Sequence, residues 1–133
     1  MKKWIKYSLV VLGSLAGIFV AGVVGLYFMF QAARGNPFDD RKFDKGVWQS
    51  CYGSDSADNP RGQMFDDLRN NYLRKNMSKA EVTELIGKPD YEDRTDLFSY
   101  KLGFWSGFRI DLDTLDLEFS KEGRLKKFYR VQH

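Results

Sequence analysis

Apolar and polar positions follow three different patterns along this chain. Residues 8–30 form a long, mostly apolar run without a charged side chain, and about 20 such residues are enough for a helix to cross a membrane. Apolar residues then recur at near-helical spacing, and after Pro89 they alternate with polar ones. The helical period is about 3.6 residues and the strand period about 2, so the patterns predict a transmembrane helix, then helices, then strands.

Two short helices are expected before Pro89. The first is predicted to start at Asn59 and Pro60, as N-cap and first helical residue, and to continue to about Lys75. Its apolar positions are Met64, Phe65, Leu68 and Tyr72.

The second helix has clear start and stop signals. Ser78 and Glu81 have the spacing of a capping box, in which each side chain accepts a hydrogen bond from the other's backbone amide. Gly87 favours a left-handed end and Pro89 cannot continue a helix, so about two turns fit between them. The predicted core face comprises Val82, Leu85 and Ile86.

Three strands are predicted in the rest of the chain, at about 98–102, 115–119 and 124–131. Residues 121–123 carry Gly123 and form a tight turn between the last two. A sheet of this kind buries one face against helices. The predicted fold is therefore α+β, a two-layer ααβββ domain with a three-stranded antiparallel meander, preceded by one N-terminal transmembrane helix.

The apolar run divides the chain into an anchor (1–33), a linker (34–59) and the domain (60–133). The linker is rich in turn residues, but its aromatic residues indicate that part of it packs on the domain. Lys2, Lys3 and Lys6 precede the run, and the positive-inside rule places that end in the cytoplasm and the domain on the other side. The alternative is a cleaved signal peptide, whose apolar region is usually only about 7 to 15 residues long.

The charge of the domain argues against nucleic-acid binding. Four of the 21 Lys and Arg lie in residues 1–34, so residues 35–133 carry 17 of them against all 18 Asp and Glu, a net charge of −1. A domain without excess positive charge does not favour nucleic-acid binding, although its two helices follow each other closely as in a helix-turn-helix.

Candidate chemistry is sparse, and we expect neither catalysis nor a metal or other cofactor. His133 is the one histidine, which disfavours Ser-His and Cys-His catalysis. The single cysteine, Cys51, cannot form an intramolecular disulfide. An acidic cluster lacks the glycine and spacing of a calcium loop, and strand alternation favours a solvated face. Its members are Asp111, Asp113, Asp116 and Glu118.

The last strand is basic, with Arg124, Lys126, Lys127 and Arg130. Lysines on an edge strand commonly prevent sheet-to-sheet aggregation, and this is the default interpretation. An anionic lipid or an acidic partner is the alternative.

Residues 77–90, M-S-K-A-E-V-T-E-L-I-G-K-P-D, resemble the G-M-T-x-x-E-V-x-x-L-L-G-x-P signature of the SmpA/OmlA (BamE-like) family. The resemblance extends over about 64–131 and implies an ααβββ fold and an extracytoplasmic, protein-binding role. Two features differ from the family. Asn76 stands in place of glycine, and an apolar span replaces the acylated cysteine that anchors the family's best-known member.

The expected function is that of a membrane-anchored, non-catalytic protein-interaction module of the bacterial cell envelope, held in the inner membrane by residues 8–30. The alternative is a small inhibitor or immunity-type protein with a fold like that of beta-lactamase inhibitor proteins, a comparison at fold level only. The predicted partner-binding residues are Phe104, Trp105 and Phe108, in a segment bracketed by glycines. Trp105 is expected to be exposed, whereas Phe104 and Phe108 either remain exposed or cover the core.

Overall fold

The computed structural model describes residues 2–93 and 96–133. The side chain of Lys2, on which the topology prediction partly depends, lies outside the described part. The chain forms two compact units, Met1–Gly35 and Asn36–His133. The folded unit therefore begins well before residue 60.

The first unit is a single helix, α1 (Lys2–Ala33), of 32 residues. At about 1.5 Å per residue it is roughly 48 Å long, whereas the hydrocarbon core of a bilayer is about 30 Å thick. An 18-residue window in this region has a mean hydropathy of 2.5. By length and composition α1 can cross a membrane, and the predicted span, 8–30, lies within it.

The stretch predicted as a linker is part of the second unit. It contains a 3-10 turn (Pro37–Asp39) and a short helix, α2 (Lys45–Ser50). Each element buries one aromatic side chain, Phe38 and Trp48 respectively. The core therefore includes residues from before 60, and the boundary between anchor and domain lies at Asn36.

The first predicted helix is shorter than its apolar spacing indicated. A 3-10 turn (Gly62–Met64) leads into α3 (Phe65–Asn71), which ends before residue 75. Asn59, predicted as the N-cap, is instead buried, and its side-chain amide donates to the carbonyl oxygen of Lys101 over 3.2 Å. Oδ1 of Asn59 accepts from the amide of Arg61 (3.1 Å), so Asn59 closes a turn that precedes the 3-10 segment.

The second predicted helix, α4 (Lys79–Ile86), has the expected ends. The Ser78 hydroxyl accepts from the Glu81 amide (3.1 Å), and the Glu81 carboxylate accepts from the Ser78 amide (2.7 Å). The latter bond lowers the pKa of Glu81. Gly87 ends the helix with φ of 78°. The capping box is thus confirmed, and α4 buries Val82 and Ile86 with Leu85 partly buried beside them.

The sheet has four antiparallel strands in the order β1-β2-β3-β4, one more than predicted. Three of them confirm predicted strands, and Gly123 has the expected positive φ, 75°. The additional strand has only three residues, all exposed, so no alternation marks it in the sequence. The strands are β1 (Tyr91–Asp93), β2 (Leu97–Gly103), β3 (Asp113–Phe119) and β4 (Leu125–Gln132).

One core joins the sheet to the segments that precede it. Alternate residues of β2 and β3 point to the same face and are buried together with Trp48 of α2 and the apolar residues of α3 and α4. Sheet residues of this core are Phe98, Tyr100, Leu102, Leu115, Leu117 and Phe119. The fold is therefore α+β, with helical segments packed against an open antiparallel sheet.

A buried ion pair lies within this core. The side chains of Arg61 and Asp90 are 0% and 2% exposed, and Nη1 of Arg61 lies 2.6 Å from Oδ2 of Asp90. Nε of Arg61 donates to the carbonyl oxygen of Trp48 (2.8 Å). The Asp90 carboxylate also accepts from the amides of Gly53 (2.6 Å) and Lys101 (2.8 Å). The pair thus links the segment around α2 to β2.

The environment of the pair is only partly polar. The Arg61 guanidinium lies 5.3 Å from the ring of Trp48 and 5.8 Å from that of Tyr100. Burial raises the pKa of Tyr100, whose hydroxyl donates to the carbonyl oxygen of Gly87 over 2.9 Å. Among the described residues, Nη2 of Arg61 and Nε1 of Trp48 have no hydrogen-bond acceptor. The cost of burying these donors is therefore incompletely offset.

Candidate interaction surface

The predicted partner-binding residues lie in the connection between β2 and β3, here called the aromatic loop (residues 103–112). The base of the loop, where it meets β3, is held by hydrogen bonds to Asp113, which is fully buried. Oδ2 of Asp113 accepts from the amides of Trp105 and Ser106, both at 2.9 Å. Oδ1 accepts from the Ser106 hydroxyl (2.6 Å) and from Nη1 of Arg130 (3.0 Å). One carboxylate therefore holds the loop backbone to β4.

Trp105 lies in the packed base of the loop and not at an exposed tip. Its Nε1 donates to the carbonyl oxygens of Asn59 (2.9 Å) and Leu102 (2.8 Å). The contact is close, since a Cβ added to Gly62 would be 2.1 Å from Cδ1 of Trp105. The ring packs against the core and is partly buried. Trp105 thus supports the loop, in contrast to the expected exposure.

The apolar side chains at the tip are Phe108 and Ile110, 71% and 75% exposed. In the folded unit, as far as the structure describes it, no other large apolar side chain is as exposed; Tyr91 follows at 60%. Phe104 is partly buried near the base. Sequence reasoning missed Ile110 because the prediction was based on the aromatic residues of the segment, and Ile110 is aliphatic.

Arg109 lies between the two exposed side chains and fixes the turn. Its φ is 61°, a left-handed value that is uncommon for a residue other than glycine. Nε donates to the carbonyl oxygen of Phe104 (2.9 Å), and Nη2 lies 2.6 Å from Oδ1 of Asp58. The guanidinium is 4.9 Å from the ring of Trp105. The Arg109 side chain therefore links the tip to Phe104 and Trp105 in the loop and to Asp58 outside it.

The acidic cluster is not a solvated face. Asp113 faces the core side, and Asp116 is only 8% exposed. Oδ1 of Asp116 accepts from the hydroxyls of Ser99 (2.6 Å) and Thr114 (3.0 Å). Asp113 lies on the core face of β3 with Leu115 and Leu117, whereas Asp116 lies on the opposite face and is shielded there by neighbouring side chains. Alternation correctly turns Asp116 away from the core, but the prediction of a solvated carboxylate is wrong for it, and the buried Asp113 is likewise no part of a solvated cluster.

His133 is also held in place. Its amide donates to the carbonyl oxygen of Leu112 (2.9 Å), and its Nε2 lies 3.0 Å from the Thr114 hydroxyl. Among the residues that the structure describes, no group of three or more His, Cys, Asp or Glu has the geometry to hold a metal ion.

The fold and the aromatic loop together define a small α+β unit that presents a preformed apolar tip. Neither a protein-family model, nor a curated protein, nor a solved structure matches this chain. The SmpA/OmlA resemblance stays a prediction that rests on residues 77–90.

Proposed function

We propose that this chain is a membrane-anchored protein-interaction module of the bacterial cell envelope, without catalytic activity of its own. The observation that carries the proposal is the exposed apolar tip of the aromatic loop. Phe108 and Ile110 are exposed, while the loop beneath them is fixed by Asp113. Exposed apolar surface on a preformed loop is typical of contact sites, because little conformational entropy is lost when the partner binds.

Site-specific photo-crosslinking tests this surface. A photoreactive phenylalanine analogue at Phe108 or Ile110 of the full-length chain is expected to crosslink to a protein in the membranes of the native host. The matched control carries the same analogue at Tyr52, an exposed aromatic residue outside the loop. The measurement is the yield of one defined adduct on a denaturing gel. Equal yields at all three positions would mean that the loop is not the contact surface.

We propose that α1 lies in the inner membrane and that the folded unit lies outside the cytoplasm. α1 is long and apolar enough to span a bilayer, and the lysines before it favour a cytoplasmic N-terminus. A tether of this kind confines the interaction to partners at the same membrane.

Orientation is measured with a reporter fused after His133. We expect alkaline phosphatase at this position to be active, because the enzyme folds correctly only outside the cytoplasm, and we expect the fusion to remain in membranes at full mass. Glutamate in place of Lys2, Lys3 and Lys6 is the control, and it should reduce the activity because the charge bias is lost. An inactive fusion would contradict the orientation. A shorter, soluble form would show that α1 is a cleaved signal sequence.

A further inference from the structure

The outer edge of the sheet at β4 is open. β4 is the last strand in the sheet order, and at eight residues it is much longer than the opposite edge strand, β1. In the described part of the chain, the strand pairing on its outer side is limited to a single bridge between Ser78 and Arg124. An edge of this length is a template for another strand.

The first residue of β4 is covered on this side. The amide of Asn76 donates to the carbonyl oxygen of Leu125, and the Leu125 amide donates to the carbonyl oxygen of Met77, both at 2.8 Å. The accessible part of the edge therefore begins beyond Leu125.

The direction of the remaining backbone groups follows from the pairing with β3. The His133 amide donates inward to Leu112, and backbone groups along an antiparallel strand face the two sides alternately. The N–H and C=O groups that point outward therefore belong to Phe128, Arg130 and Gln132. An added strand would pair with these three residues without disturbing the pairing with β3.

A groove runs beside this edge. It has a volume of about 310 Å³, and its lining includes the rings of Phe38 and Phe65, with Arg69 and Arg130 as cations and Asp66 as an anion. The Arg130 guanidinium lies 4.0 Å above the Phe38 ring. The two rings are only 6% and 3% exposed and lie beneath polar side chains, so the surface of the groove is mainly polar and Arg69 and Arg130 are its cations.

The charge of β4 determines which kind of strand can pair with its open edge. Residues 124–132 contain four cations, Arg124, Lys126, Lys127 and Arg130, and no acid. Pairing of two copies of β4 would place like charges against each other, which disfavours a second copy of this chain. β1 differs in having only three residues, two of them acidic. The basic edge is therefore complementary to an acidic extended segment.

We propose that β4 binds an acidic, extended segment of a partner protein, which adds to the sheet as a fifth strand. Backbone hydrogen bonds to Phe128, Arg130 and Gln132 supply affinity, and the cations of the strand select acidic side chains. The inference rests on the proposed interaction role but uses a surface distinct from the tip of the aromatic loop.

The probe is a short fluorescent peptide that alternates glutamate with valine, titrated into the full-length chain in detergent micelles. We expect saturable binding by fluorescence anisotropy. In NMR spectra, amide exchange should slow at Phe128, Arg130 and Gln132, whereas the amides between them are already bonded to β3. The same peptide with alternate amides N-methylated, and a version with lysine for glutamate, should each bind at least roughly tenfold more weakly.

Charge reversal on the strand gives a second measurement. Lys126→Glu with Lys127→Glu should weaken peptide binding roughly tenfold, whereas Lys88→Glu with Lys45→Glu, the same charge change on exposed residues away from the strand, should change it less than about twofold. Phe108→Ser should leave it unchanged, so a failure of this proposal is distinguishable from a failure of the loop. Equal binding of the N-methylated peptide, protection confined to the aromatic loop, or a dimer formed through β4 would overturn the proposal.

Discussion

Replacing Asp90 by alanine is expected to lower the free energy of unfolding by about 3 to 5 kcal/mol, the typical effect of removing one partner from a buried ion pair. The Arg61 guanidinium would remain fully buried without its counter-ion, since its side chain is 0% exposed. The amides of Gly53 and Lys101 would also lose their acceptor. Urea unfolding of the full-length chain in detergent, followed by tryptophan fluorescence, measures the change because Trp48 adjoins the pair.

The matched control is Asp55→Ala, which breaks the exposed pair with Lys101. The side chain of Asp55 is 84% exposed, so the loss should be below about 1 kcal/mol. The double variant Arg61→Met with Asp90→Leu should recover part of the stability lost by Asp90→Ala, because no unpaired charge remains in the core. If Asp90→Ala and Asp55→Ala unfold at the same urea concentration, the buried pair contributes little.

Replacing Asp113 by alanine is expected to destabilise the folded unit by about 3 kcal/mol and to disorder the aromatic loop. The variant loses the acceptor of four hydrogen bonds, including those from the amides of Trp105 and Ser106. Arg130 would lose its partner, but its side chain is 34% exposed, so water offsets part of that loss. Urea unfolding gives the stability, and amide exchange at Trp105 and Ser106 gives the loop order.

Asp111→Ala is the control for this prediction, because Asp111 is an exposed carboxylate in the same loop. It should change the stability by no more than about 0.5 kcal/mol. If Asp113→Ala leaves exchange at Trp105 as slow as in the original chain, then the indole hydrogen bonds to Asn59 and Leu102 are sufficient to order the loop.

Features determined by neighbouring residues could be predicted from the sequence. α4 begins and ends where its capping box and Gly87 indicate, because these signals act within a few residues. α1 could be predicted because its apolar run, 8–30, contains no proline and no charged residue that would end a membrane-spanning helix. β2, β3 and β4 could be predicted from the alternation of apolar and polar residues, and the connection between β3 and β4 from the turn at Gly123.

Features that depend on distant residues were missed. Trp105 is drawn into the base of the loop by the carbonyl oxygen of Asn59, which is 46 residues away in sequence. Alternation with Leu115 and Leu117 places Asp113 on the core face, but the sequence does not reveal Arg130 and the loop amides that surround its carboxylate there. The aromatic residues of the linker indicated that part of it packs on the domain, but not that Trp48 lies fully buried beside Arg61.

The Arg61–Asp90 pair also constrains the order of events during synthesis. Arg61 emerges from the ribosome 29 residues before Asp90, and the carbonyl group of Trp48, which Arg61 also binds, emerges earlier still. The nascent segment around α2 therefore has to stay soluble without its final contacts until β2 has followed it. At a translation rate of about 5 to 20 residues per second this delay lasts roughly seconds, which is far longer than the closure of a loop of this size. Folding of the unit is accordingly expected to be completed after translation of the sheet, and not progressively from Asn36.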